Sequence, residues 1–157
     1  MAHIITFGFK GEGMDPNMVA LHSHWLNADA IKVVINADIP VDGIFPSELQ
    51  TLSQFGSAFR RISVFYSLLY VVVEGYREKG FSNDKIDLLL ERTDFIDALR
   101  LFRNATFHYQ KEPIPEKVLK FLEAKNSESW IQDLHISFRV FFEHKLPIQG
   151  TIEKLNA

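Results

Sequence analysis

Residues 47–80, SELQTLSQFGSAFRRISVFYSLLYVVVEGYREKG, decide the fold. Leu49, Leu52, Phe55, Phe59, Ile62, Tyr66, Leu69, Val73 and Tyr76 recur at steps of three or four, the period of one face of an α-helix. Roughly thirty residues at 1.5 Å each make a rod of about 45 Å, and Gly80 just beyond it is a good terminator. The most apolar run, Ile62 to Val73, holds 12 residues and includes Ser63 and Ser67. A bilayer span takes about 20 apolar residues, so the stretch reads as the core helix of a bundle and no membrane is expected.

The segments on either side keep the same period. Asp15-Pro16 is a helix start with proline in the first turn, and Met18, Leu21, Trp25, Ala28, Ile31 and Ile35 mark one face of the helix that follows. Pro40, Asp42-Gly43 and Pro46 punctuate the connection. Downstream, Ser82 is expected to cap a short helix through Leu90, and Thr93 to cap another running toward Tyr109. Pro113 and Pro115 stop it. A short helix near Glu116–Ala124 and a last one from about Ser127 to Lys145 follow, the latter lined by Trp130, Leu134, Phe138 and Phe141. Residues 3–9 are β-prone but broken up by Gly8, Gly11 and Gly13, and read as an extended arm or edge strand. The expectation is an all-α bundle of four to six helices with a short extended N-terminal arm. It forms a single domain over 1–157, divided into arm (1–14), first helix and connection (15–46), helical body (47–145) and C-terminal tail (146–157).

A chain of 157 residues can bury a core without staples. Its 46% apolar and 24% charged residues are those of a globular protein, and 14 Phe make that core rich in aromatic rings. The absence of cysteine removes disulfides, thiolate metal sites and cysteine nucleophiles together. A net charge of −3 is not that of a protein that coats nucleic acid, so any RNA contact must come from a local patch. Residues 1–10 show no basic leader ahead of a long apolar run, and a cytoplasmic location is expected.

Little in the chain looks like chemistry except Arg103-Asn104-Ala105-Thr106-Phe107-His108. A guanidinium can stabilise charge developing on a phosphate, and an imidazole titrates near neutral pH. These are the groups that a metal-free phosphodiester cleavage needs. Asn104 and His108, four apart, share a helical face, whereas Arg103 and His108, five apart, lie roughly 140° around the axis. Either the helix loosens in its last turn before Pro113, or two subunits pack with their motif helices facing, so that Arg103 of one serves the histidine of the other. The spacing thus favours a homodimer. Arg92, Arg100 and Lys111 add positive potential nearby, much of it offset by Glu91, Asp94 and Asp97. The same residues also suit a plain structural role, with Arg103 in an ion pair and His108 held near a helix C-terminus by the dipole.

The hexapeptide resembles the Arg-x(4–6)-His motif of the HEPN family, small all-helical proteins that include many ribonuclease toxins. The likeness extends over residues 47–145, with the motif late in the sequence and a final packing helix after it. It implies that Arg103 and His108 are catalytic and that Asn104 orients them. It also implies RNA cleavage without a metal or other cofactor, by attack of the 2′-OH on its own phosphate to leave a cyclic phosphate and a free 5′-OH. Tyr109, Arg100 and Glu74 are the accessory or RNA-binding candidates. RNA and an antitoxin protein are the implied partners beside a second copy. HEPN toxins paired with a nucleotidyltransferase antitoxin carry a tyrosine two residues after the histidine, where this chain has Gln110, and Tyr109 directly follows His108 instead. The family also includes inactive members, so a silent helical module that binds nucleotide, nucleic acid or a protein partner stands beside the nuclease.

The remaining candidates are weaker. His22 and His24 point about 160° apart on a helix, a poor arrangement for one metal. His135 and His144 lie on the last helix and His3 in the arm, and none belongs to a cluster with ligand spacing. The glycine-rich stretch from Gly8 to Gly13 lacks the ending of a phosphate loop. One of Arg60 and Arg61 is expected to snorkel or pair with an acid, and Glu74, amid apolar residues, to pair with an arginine such as Arg103. The broad apolar face of the long helix is either core or a dimer interface.

Overall fold

The computed structural model describes residues 14–38, 46–109, 111 and 115–148. The arm at 3–9, the glycine-rich stretch, the Pro40 and Asp42-Gly43 connection, Gln110, Pro113 and most of the C-terminal tail lie outside the described residues. Six helices follow one another with no strand among the described residues: α1 (Pro16–Val33), α2 (Ser47–Glu78), α3 (Asp84–Leu89), α4 (Thr93–Phe107), α5 (Glu116–Glu123) and α6 (Ser127–Lys145). The chain is an all-α bundle, as its apolar periodicity requires.

At 32 residues, α2 is a rod of about 48 Å on which α1 and α4 both pack, while α6 closes on α1, α3 and α5. An 18-residue window of α2, mean hydropathy 1.2, is long and apolar enough by length and composition to cross a bilayer. Here Phe65, Leu69, Tyr70, Val72, Val73 and Tyr76 are buried inside the bundle. The aromatic rings meet edge to face: Tyr66 on Phe102 (centroids 5.1 Å apart), Phe95 on Phe121 (5.1 Å), Tyr76 on Phe138 (5.5 Å), the arrangement that the ring quadrupole favours. Gly75 lets α1 approach, since a Cβ there would lie 2.7 Å from Leu21 Cδ1.

The ends follow local chemistry, in places one residue away from expectation. Asp15 caps α1 by accepting from Asn17 N (2.9 Å), with Pro16 in the first turn. Asn83, rather than Ser82, caps α3, because its Oδ1 reaches Ile86 N (3.1 Å) while the Ser82 hydroxyl is engaged by Asp87 Oδ2 (2.9 Å). Thr93 is the first residue of α4 and no side chain caps that helix. At the other end of α1, Arg61 Nη1 donates to the carbonyls of Val34 (2.6 Å), Ile35 (3.2 Å) and Ala37 (2.7 Å). Of the two adjacent arginines, one of them expected to snorkel or meet an acid, Arg61 satisfies the carbonyls that a helix end leaves open.

The apolar face of the long helix, read as either core or a dimer interface, is not core at the start of α2. Leu49, Leu52 and Phe55 continue the apolar face, yet they are 50%, 66% and 72% exposed, because no described helix lies over that end.

Candidate functional site

The motif occupies the last turn of α4. Phe95, Ile96, Ala98, Leu99 and Phe102 bury one side of that helix, which leaves Arg103 and Asn104 half-buried along its edge. The helix ends at Phe107. His108 N still bonds Asn104 O (3.0 Å), but His108 has extended backbone (φ −125°, ψ 144°). Its imidazole is therefore released from the 140° separation that a continuous helix would impose on the pair. Phe107, His108 and Tyr109 are all exposed, Tyr109 at 94%.

Three of the candidate residues come together. Arg103 Nη2 lies 3.5 Å from Glu74 Oε2, and Arg103 Nη1 donates to Asn104 Oδ1 (3.3 Å). Both charged side chains keep about a third or more of their surface in water (34% and 43%), so the pair positions the guanidinium without locking it. Arg100 turns away to Asp97 (3.3 Å). His108 stands apart, with no hydrogen bond, ion pair or ring contact of its imidazole among the described residues.

Tyr70, one turn before Glu74 on the same face of α2, belongs to this neighbourhood although sequence reasoning passed it over. Burial, and then the carboxylate of Glu74, push its phenol above the ordinary value, while Arg100, Arg103 and Arg77 pull it back. The four-residue spacing from Glu74 was the signal available in the sequence.

A groove of about 540 Å³ opens between α2, α4 and α5, lined by Phe59, Arg60, Ser63, Phe102, Ala105 and Thr106 among others. Ala105 and Thr106 are the middle of the motif, so the groove runs beside it. The Thr106 hydroxyl shares a hydrogen bond with the fully buried Ser67 (3.0 Å), and Ser67 Oγ also donates to Ser63 O (2.6 Å). This tie fixes α4 against α2 at the motif. Glu74 lines a second, shallower pocket of about 330 Å³ with Leu21, His24 and Lys79.

Two other histidines, His22 and His135, are accounted for by packing. His22 lies against Trp25 and Phe142, and burial lowers its pKa. His135, expected on the flank of its helix, is buried: it stacks on Trp25 (5.0 Å) and meets Phe65 edge-on (5.6 Å). Lys32 Nζ donates to its Nδ1 (3.2 Å), and Asp29 Oδ1 lies 3.0 Å from Nε2. The Asp29 contact is short but poorly aligned for a hydrogen bond, so it acts chiefly as an electrostatic pair. Burial first, then the Lys32 charge, push the His135 pKa down to about 4, against the pull of Asp29. Among the described residues no group of three His, Asp or Glu side chains is placed to hold a metal ion.

Compared with models of known families, with curated proteins and with solved structures, the chain has no match.

Proposed function

We propose that this chain is a HEPN-type, metal-independent endoribonuclease of toxin or defence kind, cleaving RNA at a site completed by a second copy. Arg103 binds the scissile phosphate and stabilises the charge that builds on it as the 2′-OH attacks. His108 acts as general acid or base, taking the proton of the attacking hydroxyl or returning one to the departing 5′ oxygen. The P–O5′ bond breaks as the P–O2′ bond forms, giving a 2′,3′-cyclic phosphate and a free 5′-OH. Asn104 holds the guanidinium through its Oδ1. Arg100 and Tyr109 supply a further cation and an exposed ring for the strand, and Glu74 sets the position of Arg103.

The observation that carries this reading is the helix end between Phe107 and His108. It leaves the imidazole exposed, five residues after a half-buried guanidinium already tied to an amide and a carboxylate.

Cleavage of an end-labelled mixed RNA pool in EDTA, by wild type, His108→Ala and Arg103→Ala, tests the proposal. Cuts that end in cyclic phosphates with wild type and vanish in both variants are expected. No cleavage by a folded, paired wild type removes the nuclease and leaves the second reading, a silent module that binds nucleic acid or a protein. The Arg103–Glu74 ion pair favours that reading, because it neutralises the cation in the free protein.

A further inference from the structure

We infer that the first third of α2 is a self-association surface, occupied by the same stretch of a second copy running antiparallel, with the twofold axis at Gly56. Leu49, Leu52, Gly56, Phe59 and Ser63 succeed one another at steps of three and four, the spacing of a helix–helix seam. The seam continues through Tyr66, Tyr70 and Val73, where the bundle buries it. Leu49 and Leu52 on it are 50% and 66% exposed, and beside them Phe55 is 72% exposed. Large apolar side chains exposed on consecutive turns mark an interaction surface.

Gly56 says what kind of partner fits. A glycine inside a helix costs about 1 kcal/mol relative to alanine, and among the described residues a Cβ built there meets nothing within 4 Å. A second helix crossing closely over this point supplies the reason. Leu49 and Ser63 stand seven residues to either side of Gly56, so an antiparallel copy of α2 sets each Leu49 against the partner's Ser63 and each Leu52 against the partner's Arg60, with Phe59 one residue away. Leu49 then enters the 540 Å³ groove beside Ser63 and Ala105. The hydroxyls of that groove are satisfied within the chain, Ser63 Oγ by Phe59 O (2.9 Å) and Thr106 by Ser67, so beside Arg60 it suits an apolar occupant. Charge agrees. Glu48 and Arg60 are both exposed and make no ion pair or side-chain hydrogen bond among the described residues, and the antiparallel register brings each within about one turn of the other copy's opposite charge. Each ridge fills the other copy's groove, as an isologous contact requires.

The surface borders the groove that Ala105 and Thr106 line, and it stands independently of the proposed activity. Light scattering at tens of micromolar is the test. Wild type is expected at twice the 18.1 kDa of one chain, and Leu52→Glu and Gly56→Leu at the mass of one. Gly56→Leu has open space in the single chain and improves helix propensity, so it keeps the fold, which its circular dichroism melt checks. A wild type of one-chain mass, an open-ended assembly, or variants that stay paired overturn the inference. A paired wild type that fails to cut RNA leaves this surface standing and removes only the nuclease.

Discussion

Gly75 and Leu21 meet where α1 crosses α2, so closely that a β-carbon on the glycine would stand 2.7 Å from Leu21 Cδ1. Gly75→Ala gains about 1 kcal/mol of helix propensity but forces the buried Leu21 from its place, an overpacking that costs about 1–3 kcal/mol. Urea unfolding is expected to find Gly75→Ala less stable by about 1 kcal/mol. In a Leu21→Ala background, where the clash is gone, the same change should stabilise. Equal effects in the two backgrounds would show that the contact does not govern this crossing.

His135 makes stability depend on pH. Its folded pKa, near 4, lies below the 6.5 of the unfolded chain, so unfolding takes up a proton between those values. Its contribution is complete above pH 6.5 and is lost as pH falls toward 4. Asp29 and Lys32 lie at a partly exposed rim, so the loss is placed below full conversion of the shift, on the order of 2 kcal/mol. His22, also lowered by burial, adds in the same direction. Denaturant unfolding from pH 7 to 4.5 should show the decline, and His135→Gln should flatten it while lowering stability at pH 7. An unchanged slope in the variant would remove His135 from the account.

Arg61→Ala should leave the carbonyls of Val34, Ile35 and Ala37 without their shared donor. A hydrogen bond from a charged group contributes about 1.5–3 kcal/mol, reduced here because those carbonyls can turn to water, so a loss of about 1–2 kcal/mol is expected. Hydrogen exchange should quicken in the last turn of α1 and not in α4. Uniform quickening would point to a global defect instead.

The buried Tyr76 donates to Asp87 Oδ1 (2.7 Å), and Asp87 also accepts from the Ser82 hydroxyl. The tyrosine hydrogen bond, ahead of other causes, holds the Asp87 carboxyl below its ordinary 3.8. That contribution is present above pH 3.8 and disappears as pH falls through the lower folded value. Tyr76→Phe is expected to destabilise by about 1–2 kcal/mol at pH 7 and by less in acid. A penalty that stays the same at pH 3 would assign the effect to packing alone.

How far the sequence could be read depended on which forces were local. The α1, α2 and α6 faces follow from the recurrence of Leu21, Leu69 and Phe138, because burial of one stripe dominates where a helix packs. The caps slipped by a residue at Ser82 and Thr93, since capping is decided by hydrogen bonds that a neighbour such as Asp87 can divert. The pairing of Glu74 with an arginine such as Arg103 was legible from a carboxylate amid apolar residues. The exposure of Leu49, Leu52 and Phe55 was not, because periodicity records that a face is apolar and not what covers it. Nor was the burial of His135, which depends on Trp25, Lys32 and Asp29 arriving from a helix more than a hundred residues away.

The end of α4 at Phe107 has a consequence for control. Were the helix to continue through it, His108 would be held about 100° around the axis from Phe107 and roughly 140° from Arg103. The direction of the imidazole is thus set by the length of a helix rather than by a contact of its own. Anything that winds or unwinds that last turn works as a dial, turning the histidine toward Arg103 or away from it without touching either side chain.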